Sequence, residues 1–208
     1  MLKKKNEWQF YDEKIQEFEM SDVDLTSVSP VEKLDESLIK LIPTFGDGCT
    51  DNTHPILATE GLYNCTGIIA YDLNKQYAHL GHSFPNQYCE QNRLGLRVTS
   101  EHALKIFDTL SKKELYKLKF IILAGKRANK SMINIMINSI LALERKSALI
   151  ESIDIMKTFI KEIHLPCDKI IGGSFAFDIR NGNRYIYNSY NNEYYLCSET
   201  SNALIKIR

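Results

Sequence analysis

Neither sign of charge is in excess in this chain. Its 26 Lys and Arg are matched by 26 Asp and Glu, so the formal net charge is zero. That balance removes the electrostatic argument for a nucleic-acid partner or an anionic membrane surface. Long apolar runs are missing too. The richest stretches, Phe120–Leu123 and Ile133–Leu143, are short or broken by Asn and Ser, whereas a membrane span needs roughly 20 apolar residues. No apolar segment follows the basic start Met1-Leu2-Lys3-Lys4-Lys5, so no secretory signal is expected. Cys49, Cys65, Cys89, Cys167 and Cys197 form no CxxC and no tight cluster with histidine. An odd set without metal-ligand spacing fits free thiols in a reducing cytoplasm better than a disulfide framework. Internal repeats and low-complexity linkers are likewise absent.

What remains is an ordinary globular composition. The 208 residues are 44% apolar and 25% charged, enough for one domain with a real core. Residues 1–30 are polar and irregular. Val31, Leu34, Leu38 and Leu41 recur at helical spacing after Pro30, which predicts a short helix over Val31–Ile42. Phe45–Pro55 reads as a loop. Strand-like text starts at Leu57. Thr99 or Ser100 caps an expected helix carrying Ala103, Leu104, Phe107 and Leu110. Leu118–Ala124 reads as a buried strand ending at Gly125. Ser131–Arg145 and Ser152–Ile163 read as helices, the second stopped by Pro166. Ile170–Ile179 and Tyr185–Tyr187 flank Asn181-Gly182, a strong hairpin signal. The tail Tyr194–Ile207 adds a possible strand. The expected fold class is a single α+β domain over residues 1–208.

The segment Thr59–Phe84 carries the chemistry. Asp72-Leu73-Asn74-Lys75 separates two strand-like runs. With Leu73-Asn74 as a two-residue loop, Asp72 opposes Lys75 and, counting outward, Cys65 opposes His82. Opposed residues share a face, with Cβ atoms about 4.5–5.5 Å apart, so a thiol and an imidazole meet as an activated nucleophile requires. A single-residue slip would move the two to opposite faces. Ile69, Ala78 and Leu80 lie on one face and Ile68, Ala70 and Tyr77 on the other, which places the ribbon inside the protein. Burial raises a thiol pKa, so His82 is expected to offset it by favouring the thiolate. His79 and His82 are three apart on a strand and face opposite sides, which argues against a shared zinc. Gly172-Gly173-Ser174 reads as a tight turn, not a phosphate loop. The other cysteines read as structural, with Cys49 and Cys89 in loops. The tyrosines Tyr185, Tyr187, Tyr190, Tyr194 and Tyr195 read as strand packing that also has the makings of a groove lining.

Thr59-Glu-Gly-Leu-Tyr-Asn-Cys65-Thr-Gly-Ile-Ile-Ala-Tyr-Asp72, followed by Ala78-His-Leu-Gly-His82-Ser-Phe-Pro85, resembles the CheD chemoreceptor glutamine deamidases. In that family a threonine and a small-residue turn precede the catalytic cysteine, and a strand ending in Tyr-Asp follows. The cysteine-to-histidine interval here matches, and Thr59 falls where the family's threonine falls. Ile170-Ile171-Gly172-Gly173 and the hairpin after it also look similar. The resemblance covers residues 57–187, leaving 1–45 as an N-terminal extension and 188–208 as a C-terminal addition. The same Cys-His arrangement occurs in the wider superfamily of cytotoxic necrotizing factor toxins and protein N-terminal asparagine amidohydrolases. The turn here reads Leu-Tyr-Asn where CheD proteins usually carry Leu-Gly-Ser.

The resemblance implies mixed or antiparallel sheets packed as a sandwich with flanking helices. It also implies a cysteine-dependent amidohydrolase, a protein-glutamine deamidase, with Cys65 as nucleophile and His82 as base. Thr59 orients His82 or binds the amide, and Tyr63 and Asn64 form the oxyanion or substrate-binding turn. No metal or organic cofactor is needed. The implied partner is a protein bearing the target Gln, a bacterial receptor in the cytoplasm or, for an exported effector, a host protein. Two other readings stay open: an amidohydrolase acting on an N-terminal Asn or Gln, and a catalytically silent CheD-like binding module.

Overall fold

The computed structural model describes residues 28–63, 65–83, 117–125, 149–161, 170–188, 193–197 and 203–206, together with the helical residues Ile133, Met136, Ile137 and Ile140. Most of these residues lie in strands. The first sheet contains β1 (Val28–Val31), β2 (Ile39–Ile42), β4 (Ile56–Thr59), β11 (Ser174–Asp178), β12 (Asn183–Asn188) and β13 (Glu193–Cys197). The second contains β3 (Asp47–Cys49), β5 (Thr66–Asp72), β6 (Tyr77–Ser83), β7 (Lys117–Ala124), β8 (Leu149–Lys157) and β14 (Ala203–Lys206). Spatial orders are β1-β13-β12-β11-β4-β2 and β14-β8-β7-β5-β6-β3, and β9 (Phe159–Lys161) pairs with β10 (Ile170–Gly172) as a separate ribbon. Both six-stranded sheets are mixed: β2 runs parallel to β4 and β7 parallel to β8, while the other pairs are antiparallel.

Strand periodicity explains how the sheets meet. Ile69, Tyr71, Ala78, Leu80, Ile121, Leu123 and Met156 alternate onto one face of the second sheet, where they share a core with Ile42, Leu57, Phe175, Phe177 and Ile186 of the first. Tyr71 and Phe177 meet across this core as a tilted ring pair with centroids 4.7 Å apart. Burying such side chains contributes about 1.5–3 kcal/mol each. The outer face of the second sheet is also dry, since Ile68, Ala70, Phe120 and Ile122 are buried there. Ile133, Met136, Ile137 and Ile140, at i, i+3, i+4 and i+7, are buried helical residues in the crossover between parallel β7 and β8. The outer face of the first sheet holds Ile56, Ala176, Tyr185 and Tyr194, covered by Val31, Leu34, Leu38 and Ile39.

Two expected helices are strands instead. Val31–Ile42 ends β1, makes one 3₁₀ turn at Glu36–Leu38 capped by Asp35, and becomes β2. Its apolar spacing serves the outer cluster, and pairing with β4 overrides local propensity. Pro30 lies in the edge strand β1, where a missing N–H is tolerated. Ser152–Ile163 is also not helical through its described part, which belongs to β8 and β9. Ile153, Asp154, Ile155 and Met156 are all buried. A strand covered on both faces shows no alternation, and its spacing mimics a helix. The expected helix after Thr99 lies outside the described residues.

Leu118–Ala124 and the Asn181-Gly182 hairpin form as expected. Gly182 takes φ 75°, and the loop Ile179–Gly182 closes between Asp178 and Asn183. Gly173, at φ 88°, is the turn between β10 and β11. Residues from both flanking regions enter the main sheets, as β1, β2, β13 and β14.

Candidate active site

The β5–β6 hairpin carries the two residues of interest. Its loop is not Leu73-Asn74 but Leu73–Gln76, since Asp72 pairs with Tyr77. The Asp72 carboxylate accepts the N–H groups of Asn74 (2.9 Å) and Lys75 (3.3 Å), and Gln76 closes the turn at φ 51°. Leu73-Asn74 has no glycine to supply the two positive φ angles of a tight hairpin, so the aspartate builds a longer turn. The register therefore moves by two residues: Gly67, not Cys65, lies opposite His82. An even shift keeps the face. Cys65 belongs to the core cluster between the sheets, beside Ile69 and Leu80, and is a diagonal neighbour of His82 along the ribbon. Such diagonals span about 7–8 Å between strands. No hydrogen bond joins the Cys65 thiol to His82 Nε2.

His82 is fixed from two sides. Its N–H donates to the Gly46 carbonyl at 2.9 Å. Its Nδ1 lies 2.6 Å from Thr59 Oγ1, across the gap between the two sheets. The Thr59 hydroxyl donates its single proton to the Ile42 carbonyl at 2.8 Å, so toward the ring its oxygen accepts. Nδ1 then carries the hydrogen and Nε2 the lone pair. Nε2 is buried with no hydrogen-bond partner among the described residues. A bare buried acceptor costs about 1–3 kcal/mol, a cost that functional sites commonly retain. His79 points to the opposite face, where Nε2 meets Asp47 at 3.0 Å. Among the described residues no group of His, Cys, Asp or Glu is arranged to hold a metal ion.

Burial sets the charge state. It pushes the Cys65 thiol up to about 11 and the His82 ring down to about 4. At neutral pH both are uncharged. The expected thiolate, favoured by the imidazole, is therefore not the resting state, because two desolvated groups without a hydrogen bond gain little from separating charge.

Sequence reasoning missed the frame that holds the turn Leu62–Cys65. Gly125, just after β7, is buried against it. A Cβ at Gly125 would lie 1.9 Å from the Leu62 carbonyl oxygen and 2.2 Å from that of Cys65. Leu62 N–H donates to Gly173 O at 2.7 Å, Gly173 N–H to Thr158 O at 3.0 Å, and Thr158 N–H to Ala124 O at 3.1 Å. This chain of bonds ties Leu62 to the end of β7, the β8–β9 junction and the β10–β11 junction, five strand ends in all. It also commits the Leu62 N–H to the Gly173 carbonyl. Tyr63 is 42% exposed, and Asn64 lies outside the described residues. The glycine ending an apolar strand was the one signal in the sequence for this frame.

No family model matches the chain, and no curated protein matches its sequence. Among the described residues no helix is long and apolar enough to cross a membrane.

Proposed function

We propose that the protein is a cysteine-dependent amidohydrolase of CheD-like type, a protein-glutamine deamidase in which Cys65 attacks and His82 moves the proton. The reading is supported by one observation above the rest. A buried imidazole, its tautomer fixed by Thr59, keeps a partnerless Nε2 lone pair on the face it shares with Cys65. Because both groups rest uncharged, proton transfer accompanies attack instead of preceding it. The substrate carboxamide enters beside the turn at Tyr63. His82 Nε2 takes the thiol proton as sulfur bonds to the carboxamide carbon, and turn N–H groups hold the oxyanion. The protonated ring hands its proton to the leaving nitrogen, which departs as ammonia. Water, deprotonated by Nε2, then splits the thioester and gives Glu with the thiol restored. The net reaction consumes one water per ammonia released.

A second reading, the silent binding module, draws support from the absent thiol–imidazole hydrogen bond and the low exposure of both groups. Ammonia release from benzyloxycarbonyl-Gln-Gly and from unfolded casein separates the two, with intact-mass detection of NH₂-to-OH exchange. The enzyme reading expects release that Cys65→Ser and His82→Gln abolish. Equal release by the wild type and Cys65→Ser, or none from the wild type on either substrate together with an inert Cys65 thiol, favours the silent module.

A further inference from the structure

Cys65 and His82 are 4% and 2% exposed. A pair so enclosed offers almost no surface of its own, so the affinity that holds a polypeptide there must come from residues around it. Among the described residues three large apolar side chains are exposed: Leu41 at 57%, Phe45 at 73% and Tyr63 at 42%. Leu41 alternates along β2 with the core residue Ile42, so it faces away from the site. Phe45 and Tyr63 belong to the two loops that lead into it. Phe45 precedes Gly46, whose carbonyl accepts the His82 N–H at 2.9 Å. Tyr63 stands two residues before Cys65, in the turn that Gly125 clamps. The loops also approach each other, since a Cβ on Gly61 would lie 3.9 Å from Thr44 Oγ1. One aromatic residue is thus carried beside the histidine and the other beside the cysteine.

The backbone at Phe45 is held in place at a cost. Pro43–Gly46 is a turn closed by Gly46 N–H to Pro43 O at 2.9 Å, and Phe45 takes φ 63° within it. Glycine or asparagine fits this third turn position without strain, whereas a bulky side chain there is an outlier. Such outliers gather at binding and active sites. A strained ring that stays mostly in water adds little to the core. The same turn leads into β3, so Cys49 is a strand residue and not the loop cysteine expected from the sequence.

We propose that Phe45 and Tyr63 are specificity-determining residues of the Cys65 site, selecting polypeptides in which a large apolar side chain stands next to the target glutamine. The inference rests on the deamidase reading above. The neighbouring side chain of the substrate seats against the two rings, while the carboxamide alone passes inward to Cys65 and His82. Contact at this rim is the same before and during reaction, so the preference appears in KM more than in kcat.

The test compares acetyl-Phe-Gln-Gly-amide, acetyl-Gly-Gln-Phe-amide and acetyl-Gly-Gln-Gly-amide as substrates of the full-length protein, by ammonia release at neutral pH. One of the two Phe peptides is expected to exceed the all-glycine one by about tenfold in kcat/KM, and Phe45→Gly should bring that ratio to within about twofold. Glycine suits φ 63°, so this variant should keep a urea midpoint near that of the wild type. Tyr63→Ser is the second variant. NMR titration of Cys65→Ser with the same peptides reads binding without turnover and should rank them alike. Equal kcat/KM for all three peptides, or a preference that survives both Phe45→Gly and Tyr63→Ser, overturns the proposal and leaves the deamidase reading standing. No ammonia from any peptide, together with Phe45-dependent binding of a Phe peptide to Cys65→Ser, supports the rim and contradicts the deamidase reading. Neither release nor selective binding overturns both.

Discussion

Thr59 Oγ1 and His82 Nδ1 meet at 2.6 Å across the gap between two β-sheets, one residue from each. A threonine hydroxyl already committed to a carbonyl can only accept from the ring, so this contact decides which imidazole nitrogen is basic.

Thr59→Val should therefore do more than loosen a core contact. It leaves Nδ1–H and the Ile42 carbonyl without their partner, a loss of about 1–3 kcal/mol in stability. It also frees the tautomer, and, if the proposed mechanism holds, turnover should fall about 10- to 100-fold, by analogy with the loss of a partner that orients a metal-bound histidine. Thr59→Ser keeps the oxygen and should retain most activity. Urea midpoints and initial rates on the same samples check both parts.

The two buried groups fix a window of pH stability. His82 titrates near 4 when folded and 6.5 when unfolded, so between these values the unfolded chain binds the extra proton. Stability is full above pH 6.5 and declines as pH falls toward 4. Cys65 keeps its proton to about 11 against an ordinary 9.0, and Cys197 to about 12. There the unfolded chain loses protons first, so stability declines as pH rises above 9. Urea midpoints across pH should show a plateau between 6.5 and 9, with His82→Gln flattening the acid limb and Cys65→Ser reducing the alkaline one.

Gly125→Ala places a methyl group into two backbone carbonyl oxygens that have no rotamer to escape through. A loss of at least about 3 kcal/mol is expected. Gly67→Ala meets Leu123 Cδ1 at 3.0 Å and the Gly81 carbonyl oxygen at 3.2 Å, milder approaches than those at Gly125, and should cost less. Equilibrium unfolding of the pair of variants ranks them.

Arg184 of β12 and Asp154 of β8 form an ion pair between the sheets, both almost fully buried, and Arg184 Nη2 also reaches the Tyr71 hydroxyl at 3.3 Å. Arg184→Met or Asp154→Leu alone strands a buried charge and should lose about 3–5 kcal/mol. The double variant should recover much of that loss. A double-mutant cycle measures the coupling.

Local text revealed some of this and tertiary context decided the rest. β5, β6, β7 and the β11–β12 hairpin were legible because apolar runs end at turn residues. The face shared by Cys65 and His82 was legible even though the loop length was not, since the error was an even one. The turn at Leu73–Gln76 depends on how the Asp72 side chain folds back, which spacing does not reveal. β8 was hidden because Ile153–Met156 are buried on both faces and show no alternation, and β2 because it is a four-residue edge strand, too short to show a period. The Thr59–His82 contact joins residues on different sheets, so the family resemblance pointed to it before any pattern along the chain did. The Gly125 clamp is a long-range approach of two backbones and left only a glycine as its trace.

The most direct test is the rate at which 2-chloroacetamide, a carboxamide-bearing electrophile, alkylates Cys65 at pH 7 in wild-type protein and in His82→Gln. A thiol pushed up to about 11 and left unaided should react about 100-fold more slowly than an ordinary one, in proportion to its thiolate fraction. With His82 taking the proton, Cys65 should instead outpace a free cysteine, and His82→Gln should remove that advantage. Slow alkylation in the wild type, unchanged by His82→Gln, would contradict the account.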